Sequence, residues 1–160
     1  MAGVTLAEVL RLKVMRKLAL TLAAAALVLL ALAPAAMSRE DARPTLIARS
    51  SPYGKVLFDG RGYVLYAFTR DARGRSACYG ACAKAWPVYF AKTPLSVGPG
   101  VKRSLLGTTK RRDGRRQITY AGRPLYYYVG DRRPGQITCQ DVAEFGGTWL
   151  VVRPSGRLVR

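Results

Sequence analysis

The chain has no histidine among its 160 residues. That removes histidine-based triads, histidine-ligated zinc, copper or haem, and the usual imidazole general base. Cysteine is scarce: Cys78, Cys82 and Cys139, with none among the first 77 residues. Three thiols without histidine cannot complete a four-ligand structural zinc site. Acidic residues are also few, nine against 27 Lys and Arg, for a net charge of +18. This balance favours anionic partners such as nucleic acid, phospholipid head groups or acidic polymers.

What is present begins with an export pattern. Arg11, Lys13, Arg16 and Lys17 precede an unbroken run of Leu, Ala, Val and Thr from Leu18 to Leu32. Pro34 ends the run and small residues follow. The charged, apolar, small-residue order is that of a secretory signal. We therefore read residues 1–38 as a signal peptide, cleaved before Ala36 or Arg39. Met15-Arg16-Lys17 makes a compact start by itself, which would leave residues 1–14 as an extension. The alternative is an uncleaved anchor, but the run falls short of the ~20 residues that span a bilayer. No cysteine stands near the signal, so lipid anchoring is not expected. Residues 39–44 read as a mobile charged tail. Four of the 27 basic residues and one of the nine acidic ones lie before residue 39, so the rest of the chain carries +15. Its length suits one domain with a modest core.

Two segments sixty residues apart nearly coincide. Leu65-Tyr66-Ala67-Phe68-Thr69-Arg70-Asp71 and Leu125-Tyr126-Tyr127-Tyr128-Val129-Gly130-Asp131 both fit Leu-Tyr-x-aromatic-x-x-Asp. Each follows a Gly-containing turn and precedes a cysteine-bearing stretch and then a Trp strand. An internal repeat decides architecture before any single residue does. Turn residues between β-branched and aromatic runs mark hairpins throughout. The expected fold is mainly β: two tandem antiparallel four-stranded repeats, packed as one small sandwich or barrel. Repeat 1 spans 45–90, a Pro- and Gly-rich linker 91–104, repeat 2 105–153, and a tail 154–160. A short helical segment is expected near Cys78–Ala85. Pro87 argues for an edge position in the strand Trp86–Phe90.

Residues two apart share a face of a strand. Tyr66 and Phe68 thus point one way, as do Tyr126 and Tyr128, while Leu65 and Leu125 point to the other. Both faces are apolar, so these strands are read as central, with the motif aromatics and Trp86 and Trp149 in the core. Asp71 and Asp131 fall where their strands end. There a carboxylate can accept backbone N–H groups of the following turn or pair with a flanking Arg: Arg70 or Arg73, Arg132 or Arg133. A sharper reading makes the two a catalytic or metal-binding pair, which requires the repeats to bring them together. We assign no catalytic residue, metal or cofactor. The basic cluster Lys110, Arg111, Arg112, Arg115 and Arg116 brackets the turn pair Asp113-Gly114 and reads as a solvated hairpin tip. In an oxidising compartment three thiols suggest one disulfide and one remainder. The short spacing and Gly80 favour Cys78–Cys82; the alternative joins Cys139 to either and staples the copies together.

Tyr66-x-Phe68-x-x-Asp71 and Tyr126-x-Tyr128-x-x-Asp131 resemble the motif of bacterial secreted-repeat proteins described as predicted lipoproteins, Tyr-x-(Phe/Trp/Tyr)-x-x-Asp. Cys78-Tyr79-Gly80-Ala81-Cys82-Ala83 with Trp86-Pro87 is similar to its first copy. Thr119-Tyr120-Ala121-Gly122-Arg123-Pro124-Leu125-Tyr126 and Phe145-Gly146-Gly147-Thr148-Trp149 are similar to its second. The likeness covers residues 45 to 153 and implies a duplicated domain without an established activity. Three functional expectations follow. The first is a non-enzymatic exported β-domain binding an anionic envelope or matrix component, polymer or lipid surface. The second is a thiol-redox protein using Cys78 and Cys82. The third is an enzyme or metal site using Asp71 and Asp131. Specific nucleic-acid binding is not expected, nor a membrane span in the mature chain.

Overall fold

The computed structural model describes Arg43 and residues 45–160; the signal peptide expected at 1–38 and most of the tail expected at 39–44 lie outside the described residues. No helix among the described residues is long and apolar enough to cross a membrane. The chain opens with a hairpin of β1 (Leu46–Ser51) and β2 (Gly54–Asp59), closed by Pro52-Tyr53 and ending at the pair Ser51 and Gly54. The Ser51 hydroxyl donates to the Gly54 carbonyl at 2.7 Å and accepts the Tyr53 N–H at 3.1 Å, which fixes the turn. Then come β3 (Tyr66–Phe68), the short helix α1 (Ala81–Ala85) and a single 3₁₀ turn at Arg103–Leu105. The second copy supplies β4 (Leu106–Lys110), β5 (Arg116–Tyr120), β6 (Arg123–Pro124), β7 (Val142–Glu144) and β8 (Gly147–Val151). At the β4–β5 tip Gly114 takes φ of +83°, a conformation glycine adopts without penalty.

These strands form three small antiparallel sheets, β1–β2, β3–β8–β7 and β4–β5–β6, with no closed barrel among the described residues. The expected pair of four-stranded repeats is thereby corrected. The segment Trp86–Phe90 is not a continuous strand but makes bridges at Val88 and Phe90 only. Pro87 has no N–H to donate, so the ladder there is interrupted.

The pairing runs across the copies. β8, the Trp strand of the second copy, lies against β3 of the first, with Tyr66 opposite Val151 and Phe68 opposite Trp149. Reciprocally, the segment after Trp86 in the first copy lies against the second motif. Val88 bridges Tyr126, the Tyr127 N–H donates to the Pro87 carbonyl at 2.8 Å, and the Tyr89 N–H donates to the Leu125 carbonyl at 3.1 Å. Each copy lends its Trp segment to the other. Where the copies meet, Tyr66 and Tyr126 exchange both backbone hydrogen bonds, at 2.9 and 3.0 Å.

Alternation along these strands feeds two hydrophobic clusters. Tyr66 and Phe68 enter one, with Cys78, Trp86, Tyr126, Trp149 and Val151. Leu65 and Ala67 enter the other, with Leu57, Ile118, Tyr120 and Leu125. At the centre of the first cluster the two indoles lie face to face, with centroids 3.9 Å apart and planes within 2°. Phe68 stacks on the outer face of Trp149 at 4.2 Å, and Tyr128 leans on Trp86 at 4.7 Å. Tyr66 meets Trp86 edge-on and Tyr126 meets Trp149 edge-on, a matched pair of contacts. The two edge contacts are an arrangement that aromatic quadrupoles favour. Tyr128 is half-buried; the other five rings are buried.

Candidate functional site

The motif carboxylates sit just past their strands because the chain turns there. The Asp71 N–H donates to the Phe68 carbonyl at 3.1 Å, and the Asp131 N–H donates to the Tyr128 carbonyl at 3.2 Å. Each turn aims its carboxylate at the tyrosine of the opposite copy. The Tyr66 hydroxyl donates to Asp131 Oδ2 at 2.7 Å, and the Tyr126 hydroxyl donates to Asp71 Oδ2 at 2.7 Å. The remaining oxygens close the following loops. Asp131 Oδ1 accepts from the Thr138 N–H and hydroxyl, and Asp71 Oδ1 accepts from the Ala77 N–H at 2.7 Å. The flanking arginines form no ion pair with either residue; the ion pairs among the described residues are Arg61 with Asp59 and Arg115 with Asp113. Oδ2 of each motif carboxylate thus joins the two copies, while Oδ1 closes a loop within its own copy. No group of three or more acidic or thiol side chains gathers in a metal-binding arrangement among the described residues.

Burial pushes the Asp71 carboxyl up to about 6 from its ordinary 3.8, against the opposing pull of the Ala77 N–H, the Tyr126 hydroxyl and the Arg111 charge. Burial likewise raises the Tyr66 and Tyr126 hydroxyls, followed in effect by the neighbouring aspartates, so both remain donors. The folded form holds the Asp71 proton more tightly than the unfolded chain does. Its stabilisation is therefore full below about pH 4 and is lost as pH rises through about 6. Melting temperatures measured from pH 4 to 6.5 should carry a falling component that Asp71→Asn removes. An unchanged slope in that variant would overturn the assignment.

The same network buries a cation. Arg111 was expected at a solvated tip, but only 5% of it is exposed. Its guanidinium donates to Ser76 Oγ at 2.8 Å, to Gln117 Oε1 at 2.6 Å and to the Cys78 carbonyl at 2.6 Å, and lies over the Tyr79 ring. A buried guanidinium is tolerable when its rigid fork of N–H groups finds such acceptors. Ser76 Oγ in turn lies 2.7 Å from the Tyr126 hydroxyl, which links Arg111 to the Asp71 clamp. The other members of the basic cluster are exposed and serve separate ends. Arg112 lies over Tyr79, Arg115 pairs with Asp113 and covers Phe90, and Arg116 donates to Thr108. Lys110 ends β4 in solvent.

Cys78 and Cys82 form a disulfide, leaving Cys139 as a buried free thiol. Four residues past Cys139 stands Ala143, so the second copy lacks the matching partner. Closing so short a loop contributes only about 2 kcal/mol in the chain-entropy view. Both bridged cysteines are buried, and burial raises the Cys139 thiol. Buried, neutral thiols are poor nucleophiles.

A different feature gathers charge. Pro154-Ser155-Gly156 turns the chain back, with the Arg153 N–H donating to the Arg157 carbonyl and Val152 bridging Leu158. Gly156 takes φ of +84° and packs against Ala121, leaving no room for a Cβ. This hairpin sets Arg153, Arg157 and Arg160 around Arg123 of β6, lining a cleft of about 610 Å³. Among the described residues no acidic side chain lines it. The signal in the sequence is a Gly turn between Val151-Val152 and Leu158-Val159, which places Arg153 beside Arg157, where a tail at 154–160 is expected.

No curated protein and no solved structure matches the chain. A family model described as a secreted repeat of unknown function matches residues 48–89 and 107–153, one segment for each copy. With that match covering more than half of its length, the chain belongs to the family of secreted repeats of unknown function.

Proposed function

We propose that the domain is a non-enzymatic exported module that binds an anionic polymer of the cell envelope or matrix through the four-arginine cleft. The observation that carries this reading is the convergence of Arg123, Arg153, Arg157 and Arg160 on one concavity without an acidic side chain. Guanidinium forks suit phosphate and carboxylate oxygens, which they can grip with two parallel hydrogen bonds. The rest of the basic surface adds attraction of long reach and little selectivity. The motif carboxylates and the Cys78–Cys82 pair weigh less, because their reactive atoms are engaged in internal bonds, and the free Cys139 is buried. The family description supports export and is silent on binding.

The test is titration with long-chain polyphosphate and with a polyuronate at several salt concentrations. The Arg153→Ala/Arg157→Ala protein should bind at least tenfold more weakly at low salt, while Lys110→Ala/Arg112→Ala changes affinity little. Binding should weaken steeply with added salt, since exposed charges reach only ~8 Å at physiological ionic strength. Equal losses in both double variants, or salt-independent binding, would overturn the cleft as the contact.

A further inference from the structure

A second cleft of about 570 Å³ opens between the Asp59–Arg61 turn, the Val88–Phe90 segment and the Lys92–Pro94 loop. No residue lines both clefts. Its volume lies within the range of small-ligand sites, ~300–1,000 Å³. Its chemistry also differs from that of the arginine cleft. Tyr89, Phe90 and Tyr127 provide aromatic walls, and the Tyr89 and Tyr127 rings stand 5.2 Å apart at 60°.

The polar groups on these walls are mostly committed. The Tyr89 hydroxyl donates to the Thr45 carbonyl at 2.6 Å, and the Tyr127 hydroxyl donates to Asp59 Oδ2 at 3.0 Å. Asp59 is the acidic residue in the lining, and it is 2% exposed. Its Oδ1 accepts the Arg61 and Tyr63 N–H groups, and its Oδ2 also accepts Arg61 Nε. Asp59 is therefore both neutralised and saturated. What stays free is apolar ring surface, the outer N–H groups of Arg61 and the charge of Lys92. Arg61 uses Nε and Nη2 internally, which leaves the Nη1 end of a side chain that is 57% exposed. Lys92 is exposed and forms no ion pair among the described residues.

We infer that this cleft binds a single compact ring bearing a carboxylate, with the ring against Tyr89 and Tyr127 and the carboxylate toward Arg61 and Lys92. Two sources share that chemistry, a uronic-acid sugar and an aromatic acid. Aromatic side chains pack against the face of either ring, and the cations supply the orientation. A neutral ring would gain the packing but not the charge interaction.

The experiment is amide NMR titration of the folded domain with glucuronate and with benzoate, using glucose and benzyl alcohol as neutral counterparts. Saturable shifts at Arg61, Tyr89, Phe90 and Lys92 are expected with at least one of the two acids, at least tenfold tighter than its neutral counterpart. Saturation by glucuronate identifies a sugar ring and saturation by benzoate an aromatic one; either supports the inference. Lys92→Gln should weaken the bound acid several-fold with unchanged melting temperature. Arg153→Ala/Arg157→Ala should leave it unaffected, so loss of the arginine-cleft reading would not touch this one. Equal binding of acid and neutral ring, shifts confined to the arginine cleft, or no saturable shift with either acid would overturn it.

Discussion

Trp149→Ala is expected to destabilise the domain by ~3–5 kcal/mol, the usual cost of truncating a buried large aromatic. The site justifies the upper part of that range. Trp149 contacts three rings at once, stacking on Phe68 and Trp86 and standing perpendicular to Tyr126. It also lies opposite Phe68 in the β3–β8 pairing, so its loss loosens both packing and the strand that joins the copies. A finer contrast follows from the indole nitrogens. Trp86 Nε1 donates to Glu144 Oε2 at 2.9 Å, whereas Trp149 Nε1 is buried without a partner. Trp86→Phe therefore sacrifices a hydrogen bond, and Trp149→Phe relieves an unsatisfied donor. The first should cost on the order of 1 kcal/mol more than the second. Urea unfolding of the three variants measures this, and a Trp149→Ala protein within 1 kcal/mol of the parent would refute the central role of the stack.

Asp131→Ala comes next, with an expected loss of about 3 kcal/mol, near the top of what hydrogen bonds to charged groups contribute. The substitution strands the Tyr66 hydroxyl in the core and frees the Thr138 N–H and hydroxyl together. Tyr66→Phe should cost less, because it removes donor and burial demand at once. The pair should couple in a double-mutant cycle, since the two side chains share one bond across the copies. Additive effects of Tyr66→Phe and Asp131→Ala would mean that the observed 2.7 Å contact carries no stability.

The repeat and the mainly-β class were legible because alternation and turn residues are local signals, present in each copy separately. Partner choice is not local. The motif shows Tyr66 five residues before Asp71, yet Tyr66 bonds Asp131 and Tyr126 bonds Asp71. Nothing within one copy distinguishes that crossing from a bond inside the copy. Arg111 was misplaced for a related reason. In sequence it is one more cation beside a turn, and its burial depends on Ser76 and the Cys78 carbonyl arriving from the first copy. The four-stranded repeat failed at Trp86–Phe90, where Pro87 was read as an edge marker and instead reduced a strand to bridges. The arginine cleft was invisible because it needs Arg123 of β6 to meet a hairpin formed by the last residues.

The exchange of Trp segments also sets the order in which this protein can come into being. β3 has no in-register sheet neighbour until β8 exists, and β8 belongs to the second copy. A polypeptide made or threaded from its N-terminus therefore holds no closed half to fold early. The first hairpin can form, but its copy remains open until Trp149 arrives. Contacts so far apart in sequence slow folding relative to local ones. In a family described as secreted repeats, that dependence means neither copy is complete until the other has been made.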